Sequence, residues 1–384
     1  MQVSNIANEI HPSLTRRLFD KAKEYDNVID LTLGDPDYPT PPEVCEAGCK
    51  AIREGKTKYT ANAGLLELRT AVAEKVKNET GIEYDPSKNV IITVGAMGAL
   101  YLLIKSYINE GDEVLIPAPY WINYGQMVTM SGGVPVAVSS DKEGFALSTE
   151  LLEKAVTPRT RMMIINTPCN PTGEVYTKES LEAIAKIAKK NTLLVVADEA
   201  YSCILFDDAK FTSIIDIPGM RDLTILVNSF SKRYSMTGWR VGYAVGDENI
   251  ISAMTRFQEN VASCCPQSSQ YAAIAALRGS QDSVDEMVKG YQRRRDMVVE
   301  GINKIDKLSC RKPQGTFYVF VDISKTGMNS SDFSFDLLDK AQVAVVPGIT
   351  YGEDGDSYVR IALTRNDEEI REAIHRMGKY INSL

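Results

Sequence analysis

The chain has 384 residues, of which 44% are hydrophobic and 24% charged, and a formal net charge of −8 at pH 7. This length exceeds a single typical core and predicts two domains, while the composition is that of an ordinary globular enzyme. The negative net charge argues against nucleic acid as a partner. The densest basic run, Arg293 to Arg295, is closed by Asp296 and is predicted to lie on a solvated helix face.

Seven irregularly spaced cysteines and only two histidines predict neither a disulfide framework nor a metal site. The first residues carry no basic segment followed by an apolar run, so no secretory signal is predicted. No apolar stretch reaches the length of a membrane span, and no membrane partner is expected. We therefore expect a reduced, cytoplasmic setting.

Short apolar runs alternate with helical patterns from about residue 89 to 245. Helices are predicted at 99–108 and 180–190. The predicted strands are 89–94, 113–116, 134–138, 162–165, 193–197, 223–227 and 240–245. Strands rich in Val and Ile, separated by helices, indicate a mainly parallel sheet that is covered on both faces.

The remainder of the chain predicts a smaller α+β domain. A long polar helix over 281–307 precedes strands at 316–321, 343–346 and 358–363, and a last helix begins at Asp367. The predicted divisions are an N-terminal segment that contributes to the small domain, a large domain and the small C-terminal domain, at 1–45, 46–283 and 284–384.

Lys232 follows an apolar run and is flanked by small hydroxyl residues in the stretch Asn228–Lys232. Burial disfavours the charged form of an amine, so this lysine is predicted to be a nucleophile suited to a Schiff base with an aldehyde cofactor. Ser229 and Arg240, on either side of it, suit the phosphate of that cofactor. The alternative is an ordinary surface charge.

Asp198 ends the predicted strand 193–197, and parallel sheets bind ligands at the carboxyl ends of their strands. An ionised aspartate there can keep a pyridine nitrogen protonated, whereas a helix N-cap is the alternative. Asn170, in a turn after the preceding strand, and Tyr201 are predicted to donate to a phenolate oxygen of the same ring. An ordinary turn would also explain the residues around Asn170.

Three further signals complete the predicted site. Ala96 and Met97 lie in a glycine-rich turn between a strand and a helix, where backbone N–H groups favour a phosphate. Tyr120 lies just past a strand end, where its ring either stacks on the cofactor or packs in the core. Arg360 is a lone arginine in an apolar strand, and it needs either a bound carboxylate or an internal acidic partner.

This ordered set of residues resembles the class I aminotransferases of the fold-type I pyridoxal phosphate superfamily, over almost the whole chain. Leu33–Asp37 is similar to the family's entry loop, in which Gly34 would contact the substrate carboxylate. Tyr59 matches the tyrosine that reaches the phosphate in the neighbouring subunit. The resemblance implies an α/β fold with a mainly parallel seven-stranded sheet in a large pyridoxal phosphate-binding domain, and a smaller α+β domain.

The resemblance also implies a role for each residue. Lys232 would form the Schiff base with pyridoxal 5′-phosphate and move the substrate proton, and Asp198 would protonate the pyridine nitrogen. Asn170 and Tyr201 would act on the ring oxygen, and Arg360 would clamp the α-carboxylate, with Gly34 and Asn170 beside it. The phosphate would be held by Ser229, Ser231, Arg240 and the amides of Ala96 and Met97. The active site would lie between the subunits of a homodimer.

One departure from the family bears on the amino acid and 2-oxo acid substrates. Some bacterial relatives that act on aspartate carry a lysine where this chain has Met97, and the segment 259–263 supplies no arginine. A neutral side chain, aromatic, aliphatic or alanine-like, is therefore predicted. A C–S or ring-closing lyase would use the same lysine, aspartate and arginine and is the alternative activity.

Overall fold

The computed structural model describes residues 3–10, 14–140 and 145–384. Its strands are β1 (Ile29–Asp30), β2 (Val90–Thr93), β3 (Glu113–Ala118), β4 (Val134–Ser139), β5 (Thr160–Asn166), β6 (Leu194–Asp198), β7 (Thr224–Ser229), β8 (Gly242–Val245), β9 (Ser309–Cys310), β10 (Tyr318–Asp322), β11 (Val343–Ala344), β12 (Val346–Pro347) and β13 (Tyr358–Ala362).

Seven of these strands form a central sheet in the order β2-β8-β7-β6-β5-β3-β4. The neighbours from β7 to β4 run parallel, whereas β8 is antiparallel to both β2 and β7. The predicted α/β fold with a mainly parallel seven-stranded sheet is thereby confirmed. Asn166 ends β5 directly beside Asp198 at the end of β6, so the carboxyl ends of neighbouring strands present polar side chains at one edge.

The helices are α1 (Asn5–Glu9), α2 (Leu14–Ala22), α3 (Pro42–Arg53), α4 (Leu66–Thr80), α5 (Gly95–Tyr107), α6 (Asn123–Met130), α7 (Thr149–Lys154), α8 (Lys178–Asn191), α9 (Phe230–Arg233), α10 (Glu248–Val261), α11 (Gln267–Arg278), α12 (Asp282–Ile302), α13 (Ser330–Ala341) and α14 (Asp367–Asn382). In the part of the chain that the structure describes, none of them is long and apolar enough to cross a bilayer.

Helices cover both faces of the central sheet because its strands alternate their side chains. Leu194 and Val196 of β6 belong to the apolar cluster that contains α5 and α6, whereas Val195 and Ala197 belong to the cluster that contains α8. Successive residues of a strand point to opposite faces. Asp198 continues the first series and therefore faces the α5 and α6 side of the sheet.

The C-terminal part of the chain builds a second, antiparallel sheet in the order β12-β13-β10-β9. The strand predicted at 343–346 is divided in the structure, so the prediction of one strand was wrong. Val343 and Ala344 pair with β1, whereas β12 pairs with β13, because the chain passes from one sheet to the other at Val345. The N-terminal segment thus pairs with residues beyond 284, although the domain boundaries stay a prediction.

The prediction that Arg293 to Arg295 lie on a solvated face was wrong for two of the three residues. Arg295 is fully buried and pairs with Asp207 at 2.9 Å, and Arg294 is almost buried and pairs with Asp37 at 2.9 Å. A buried guanidinium needs such partners. Asp207 and Asp37 come from distant parts of the chain, so the local sequence pattern of α12 does not reveal them, whereas the adjacent Asp296 also pairs with Arg295 at 2.8 Å.

Candidate active site

A cavity of about 500 Å³ opens at the carboxyl edge of the central sheet. The segment after β1 and side chains from β10 and β13 close its other side. Most of the predicted site residues line this one cavity: Gly34, Ala96, Met97, Asn170, Asp198, Tyr201, Ser229, Ser231, Lys232, Arg240 and Arg360.

Lys232 lies in α9, directly after β7, and its Nζ donates a hydrogen bond to the carbonyl oxygen of Gly34. Desolvation in the cavity lowers the pKa of Lys232 to about 8, assisted by the positive charges of Arg360 and Arg240 and opposed by Asp35 and Asp198. A much larger share of this amine is unprotonated near neutral pH than in an ordinary lysine, which is what nucleophilic and base chemistry require.

Asp198 is buried at the end of β6, and the pattern of its contacts orients both carboxylate oxygens. Oδ2 accepts a hydrogen bond from the Tyr124 hydroxyl at 2.6 Å, and Oδ1 accepts one from the Ala200 amide at 3.1 Å. Burial raises the pKa of Asp198, while these two donors and the charge of Lys232 act in the opposite direction. Tyr124, in α6, was missed in the sequence because nothing local to it indicates that it faces Asp198.

Ser229, Ser231 and Arg240 line the cavity together with Ala96 and Met97 at the start of α5. The Ser229 hydroxyl donates to that of Ser231 at 2.8 Å, and the Arg240 guanidinium donates to the carbonyl of Thr237 at 2.7 Å. Gly95, the first residue of α5, has φ +70°, and a Cβ there would lie 2.5 Å from Arg240 Nη2. Hydroxyl groups, a guanidinium and a helix N-terminus together form a cradle suited to a phosphate.

Arg360 reaches the cavity from the middle of β13. Its Nη1 donates to Asn170 Oδ1 at 3.1 Å and its Nη2 donates to the carbonyl of Thr32 at 2.6 Å. Its Nε is buried without a hydrogen-bond partner among the described residues. Since Asn170 Oδ1 already accepts this hydrogen bond, the amide nitrogen of Asn170 remains available to donate to a ligand. An internal acidic partner was the alternative for Arg360, but among the described residues its acceptors are neutral, so its charge stays available for a bound carboxylate.

Tyr201 is buried, and its hydroxyl lies 3.1 Å from that of Tyr318 at the start of β10. Burial raises the pKa of Tyr201 well above its usual range, and Tyr318 adds to the effect, so this residue keeps its proton. Tyr318 also lines the cavity and was missed in the sequence. It lies more than a hundred residues from Tyr201, within an apolar strand that gives no sign of a polar role.

Tyr120 and Tyr59 lie outside the cavity lining. Tyr120 packs beside the apolar cluster around α5 and α6, with its hydroxyl near Gly125, whereas the adjacent Trp121 lines the cavity. The aromatic ring that this loop places in the cavity lining is therefore that of Trp121 and not that of the predicted Tyr120. Tyr59 is 86% exposed on the surface, so its predicted role depends on a second subunit.

The cavity fits pyridoxal 5′-phosphate. A phosphate cradle lies at the start of α5, a buried carboxylate lies at the end of β6, and two donors, Asn170 and Tyr201, lie in the same lining as the Lys232 amine. In the same lining, the unpartnered Nε of Arg360 is an orphaned donor of the kind that a substrate carboxylate beside the cofactor would satisfy. Fold and cavity thus correspond to a pyridoxal phosphate enzyme.

Comparisons with known proteins agree with this class. A family model described as aminotransferase class I and II matches residues 26–377. Aromatic-amino-acid aminotransferase 2 of Thermococcus litoralis and the aspartate aminotransferase of Pyrococcus abyssi are each 42% identical over 384 residues, which cover 99% of this chain and 98% of each relative. The crystal structure of an aromatic aminotransferase from Pyrococcus horikoshii has a TM-score of 0.91 at 42% identity, covering 95% of this chain and 99% of that one.

This chain belongs to the class I and II aminotransferases. It is a pyridoxal 5′-phosphate-dependent aminotransferase, and the alternative of a lyase is set aside because full-length relatives are named aminotransferases.

Proposed function

We propose that this aminotransferase exchanges the amino group of an L-amino acid that has a neutral side chain with a 2-oxo acid, and that it disfavours aspartate. The observation that carries the proposal is the charge of the cavity lining. Within the described residues, its cations are Lys232, Arg240 and Arg360, and its carboxylates are Asp35 and Asp198.

Each of these cations has a proposed task that every amino acid requires. Lys232 carries the nucleophilic amine, Arg240 serves the phosphate cradle, and Arg360 serves the α-carboxylate. A second, side-chain carboxylate would therefore lose water without gaining a cationic partner. Asp35, whose Oδ1 accepts from Thr237 at 2.8 Å, would repel it further.

The names of the relatives do not decide this point. At the same identity and coverage, one is named an aromatic-amino-acid aminotransferase and the other an aspartate aminotransferase. The preference for a neutral side chain therefore rests on this chain's own residues. Met97, 42% exposed at the start of α5, and Trp121 offer apolar surface in the lining. Such surface favours aromatic and aliphatic side chains.

Bound pyridoxal 5′-phosphate supplies a ring that withdraws electrons from the substrate Cα. In the proposed reaction, Lys232 Nζ would remove the Cα proton, and Asp198, held by Tyr124, would keep a positive charge on the ring nitrogen. Arg360, whose Nη1 donates to Asn170, would hold the substrate by its α-carboxylate, and Asn170 and Tyr201 would donate to the ring oxygen. Together these contacts orient the Cα–H bond for removal.

We further propose a homodimer that shares its active sites. Tyr59, Leu66, Phe257 and Val261 are exposed. They lie on two neighbouring segments, since the Thr60 amide contacts Cys264 Sγ at 3.4 Å. Exposed apolar side chains grouped in this way are typical of a protein interface.

The substrate proposal is tested by side-by-side half-reactions of the holoenzyme with phenylalanine, leucine, alanine and aspartate, each followed by the cofactor absorbance. We expect the neutral substrates to exceed aspartate in kcat/KM by about a hundredfold, because an unpaired buried carboxylate costs a few kcal/mol. An Asp35→Asn variant should lower the ratio of kcat/KM for neutral substrates to kcat/KM for aspartate, since it removes the charge that repels the aspartate side chain.

Two outcomes distinguish a failure of the proposed substrate preference from a failure of the proposed role of Lys232. Aspartate reacting fastest would refute the neutral preference and leave the aminotransferase activity intact. The matched control is Lys232→Ala, which lacks the proposed nucleophile and base and should lose several orders of magnitude in turnover with every substrate. Near-normal turnover in that control would refute the proposed role of Lys232.

A further inference from the structure

Tyr318 lies in the antiparallel sheet, and its side chain contacts cavity residues from both sheets: Tyr201, which follows β6, and Arg360 in β13. It is 2% exposed and begins β10, where it lies opposite Ala362, while Phe320 lies opposite Arg360. Residues two apart on neighbouring strands share a face and are diagonal neighbours. Tyr318 and Arg360 therefore lie on the same face within reach of each other.

The Tyr318 ring packs on the Arg360 guanidinium, whose Cζ lies 4.1 Å from the ring centroid. Tyr351 also contacts this guanidinium, with the Cζ 5.4 Å from its ring centroid. A ring over the face of a guanidinium attracts the cation and leaves its N–H groups free to donate in the plane. The plane in which Arg360 can receive a carboxylate is thus set by these rings.

The Tyr318 hydroxyl lies 3.1 Å from the Tyr201 hydroxyl, and either group can donate to the other. A tyrosine hydroxyl has a single proton. If Tyr201 donated to Tyr318, it would have no proton left for the ring oxygen of the cofactor. If Tyr318 donates instead, the Tyr201 proton is directed away from Tyr318 and toward that oxygen.

The absence of a side chain at Gly34 leaves room for the Tyr318 hydroxyl. A Cβ at Gly34 would overlap that hydroxyl, so a side chain at position 34 would displace it. The carbonyl of the same glycine accepts the hydrogen bond from Lys232 Nζ. Tyr318 therefore contacts Tyr201, Arg360 and the residue that holds the lysine amine.

We propose that Tyr318 is a positioning residue with two separable tasks: its hydroxyl donates to Tyr201 and so sets the direction of the Tyr201 proton, and its ring fixes the plane of Arg360. This inference rests on the proposed roles of Tyr201 and Arg360. It does not depend on which side chain the enzyme prefers, because the ring oxygen and the α-carboxylate are common to all its reactions.

The hydroxyl is tested with Tyr318→Phe, which retains the ring. A donor to the ring oxygen stabilises negative charge there, so weakening that donor should raise the pH midpoint of the holoenzyme's visible absorbance. We expect kcat to fall by about threefold to tenfold, the range of one lost hydrogen bond. The affinity for 2-methylalanine, which carries the carboxylate but no Cα proton, should stay within about twofold, since the stack that holds Arg360 is kept.

The ring is tested with Tyr318→Leu, for which we expect about tenfold weaker binding of 2-methylalanine and a higher KM, because the stack on Arg360 is lost. Should this variant not fold, as judged by its melting curve, Tyr318→Met takes its place because an unbranched side chain fits irregular space. The matched control is Tyr358→Phe in β13, whose ring stacks on Phe320, and it should leave both readouts unchanged. Unchanged affinity without the ring would overturn the second task.

A double variant shows whether the hydroxyl acts through Tyr201. Tyr201→Phe alone should raise the midpoint, and adding Tyr318→Phe to it should shift the midpoint no further. Additive shifts, or a midpoint unmoved by Tyr318→Phe while Tyr201→Phe moves it, would overturn the task of the Tyr318 hydroxyl and leave the proposed role of Tyr201 intact. An unmoved midpoint in Tyr201→Phe would overturn the proposed role of Tyr201 and the task of the Tyr318 hydroxyl with it, whatever the substrate tests show.

Discussion

At the scale of single residues, the chemistry depends on how the cavity changes the pKa of a side chain such as that of Lys232. Lys232 is more acidic than a lysine in water because desolvation disfavours its charged form, and the two arginines add to this effect. Asp35 and Asp198 oppose it. The balance leaves the pKa of Lys232 at about 8, between the values of a histidine and an exposed lysine.

This balance predicts the pH dependence of Lys232 reactivity in the cofactor-free enzyme. Only the neutral amine reacts with acetic anhydride, so the rate of its acetylation should rise with pH through about 8 and level off above about 9. Asp35→Asn should move the midpoint to lower pH, because Asp35 stabilises the charged form. Peptide mass spectrometry measures the rate for each lysine. Exposed lysines of the same chain are internal controls, and a Lys232 rate that still rises beyond pH 10 would contradict the prediction.

At the scale of elements, the start of α5 shows why two helix glycines are not equivalent. Gly95 has φ +70° and lies against Arg240, whereas a Cβ at Gly98 would come no closer than 3.6 Å to Val94. A side chain at position 95 would therefore strain the backbone and displace the guanidinium. At position 98 it would meet only ordinary contacts and favour the helix.

Gly95→Ala should consequently weaken pyridoxal 5′-phosphate binding by at least about tenfold, as the loss of one charge-assisted contact requires. It should also lower the melting temperature of the cofactor-free protein, because a left-handed conformation costs an alanine about 1 kcal/mol. Gly98→Ala is the matched control and should bind the cofactor normally. Equal dissociation constants for the two variants in a fluorescence titration would show that the Gly95 backbone does not shape the phosphate site.

At the scale of the whole molecule, the exposed Tyr59 is the residue whose role depends on assembly. The cavity of one chain does not include it, although the resemblance places it at a phosphate. If Tyr59 acts in the partner's site, each active site contains Tyr59 from one chain and Lys232 from the other. A site assembled in this way can be divided between two inactive chains.

Mixing Tyr59→Ala with Lys232→Ala after reversible dissociation should therefore restore activity. In the mixed dimer both lesions fall in one site and the other site is intact, so activity should exceed that of either parent. Light scattering establishes the dimer, and assays before and after mixing measure the recovery. If Tyr59 served its own chain's site, each mixed dimer would contain one lesion per site and no recovery would appear.

The sequence by itself determined the strands of the central sheet and the residues that follow them. Apolar runs rich in Val and Ile predicted the parallel sheet, and Asp198, Asn170 and Lys232 were predicted from their places after those strands, because the carboxyl ends of parallel strands meet at one edge. The structure places all three in the same cavity. Information of this kind is local, since it depends on periodicity and on the residue that ends each run.

Only the tertiary structure decided which side chains meet across the chain. Trp121 rather than Tyr120 enters the cavity lining, and Tyr318 reaches Tyr201 over an interval of more than a hundred residues. Arg295, which the local pattern assigned to a solvated face, is buried, and Asp207 from a distant loop pairs with it together with the adjacent Asp296. Side-chain direction in a loop and the partner of a buried charge are set by packing between elements, and no local pattern encodes them.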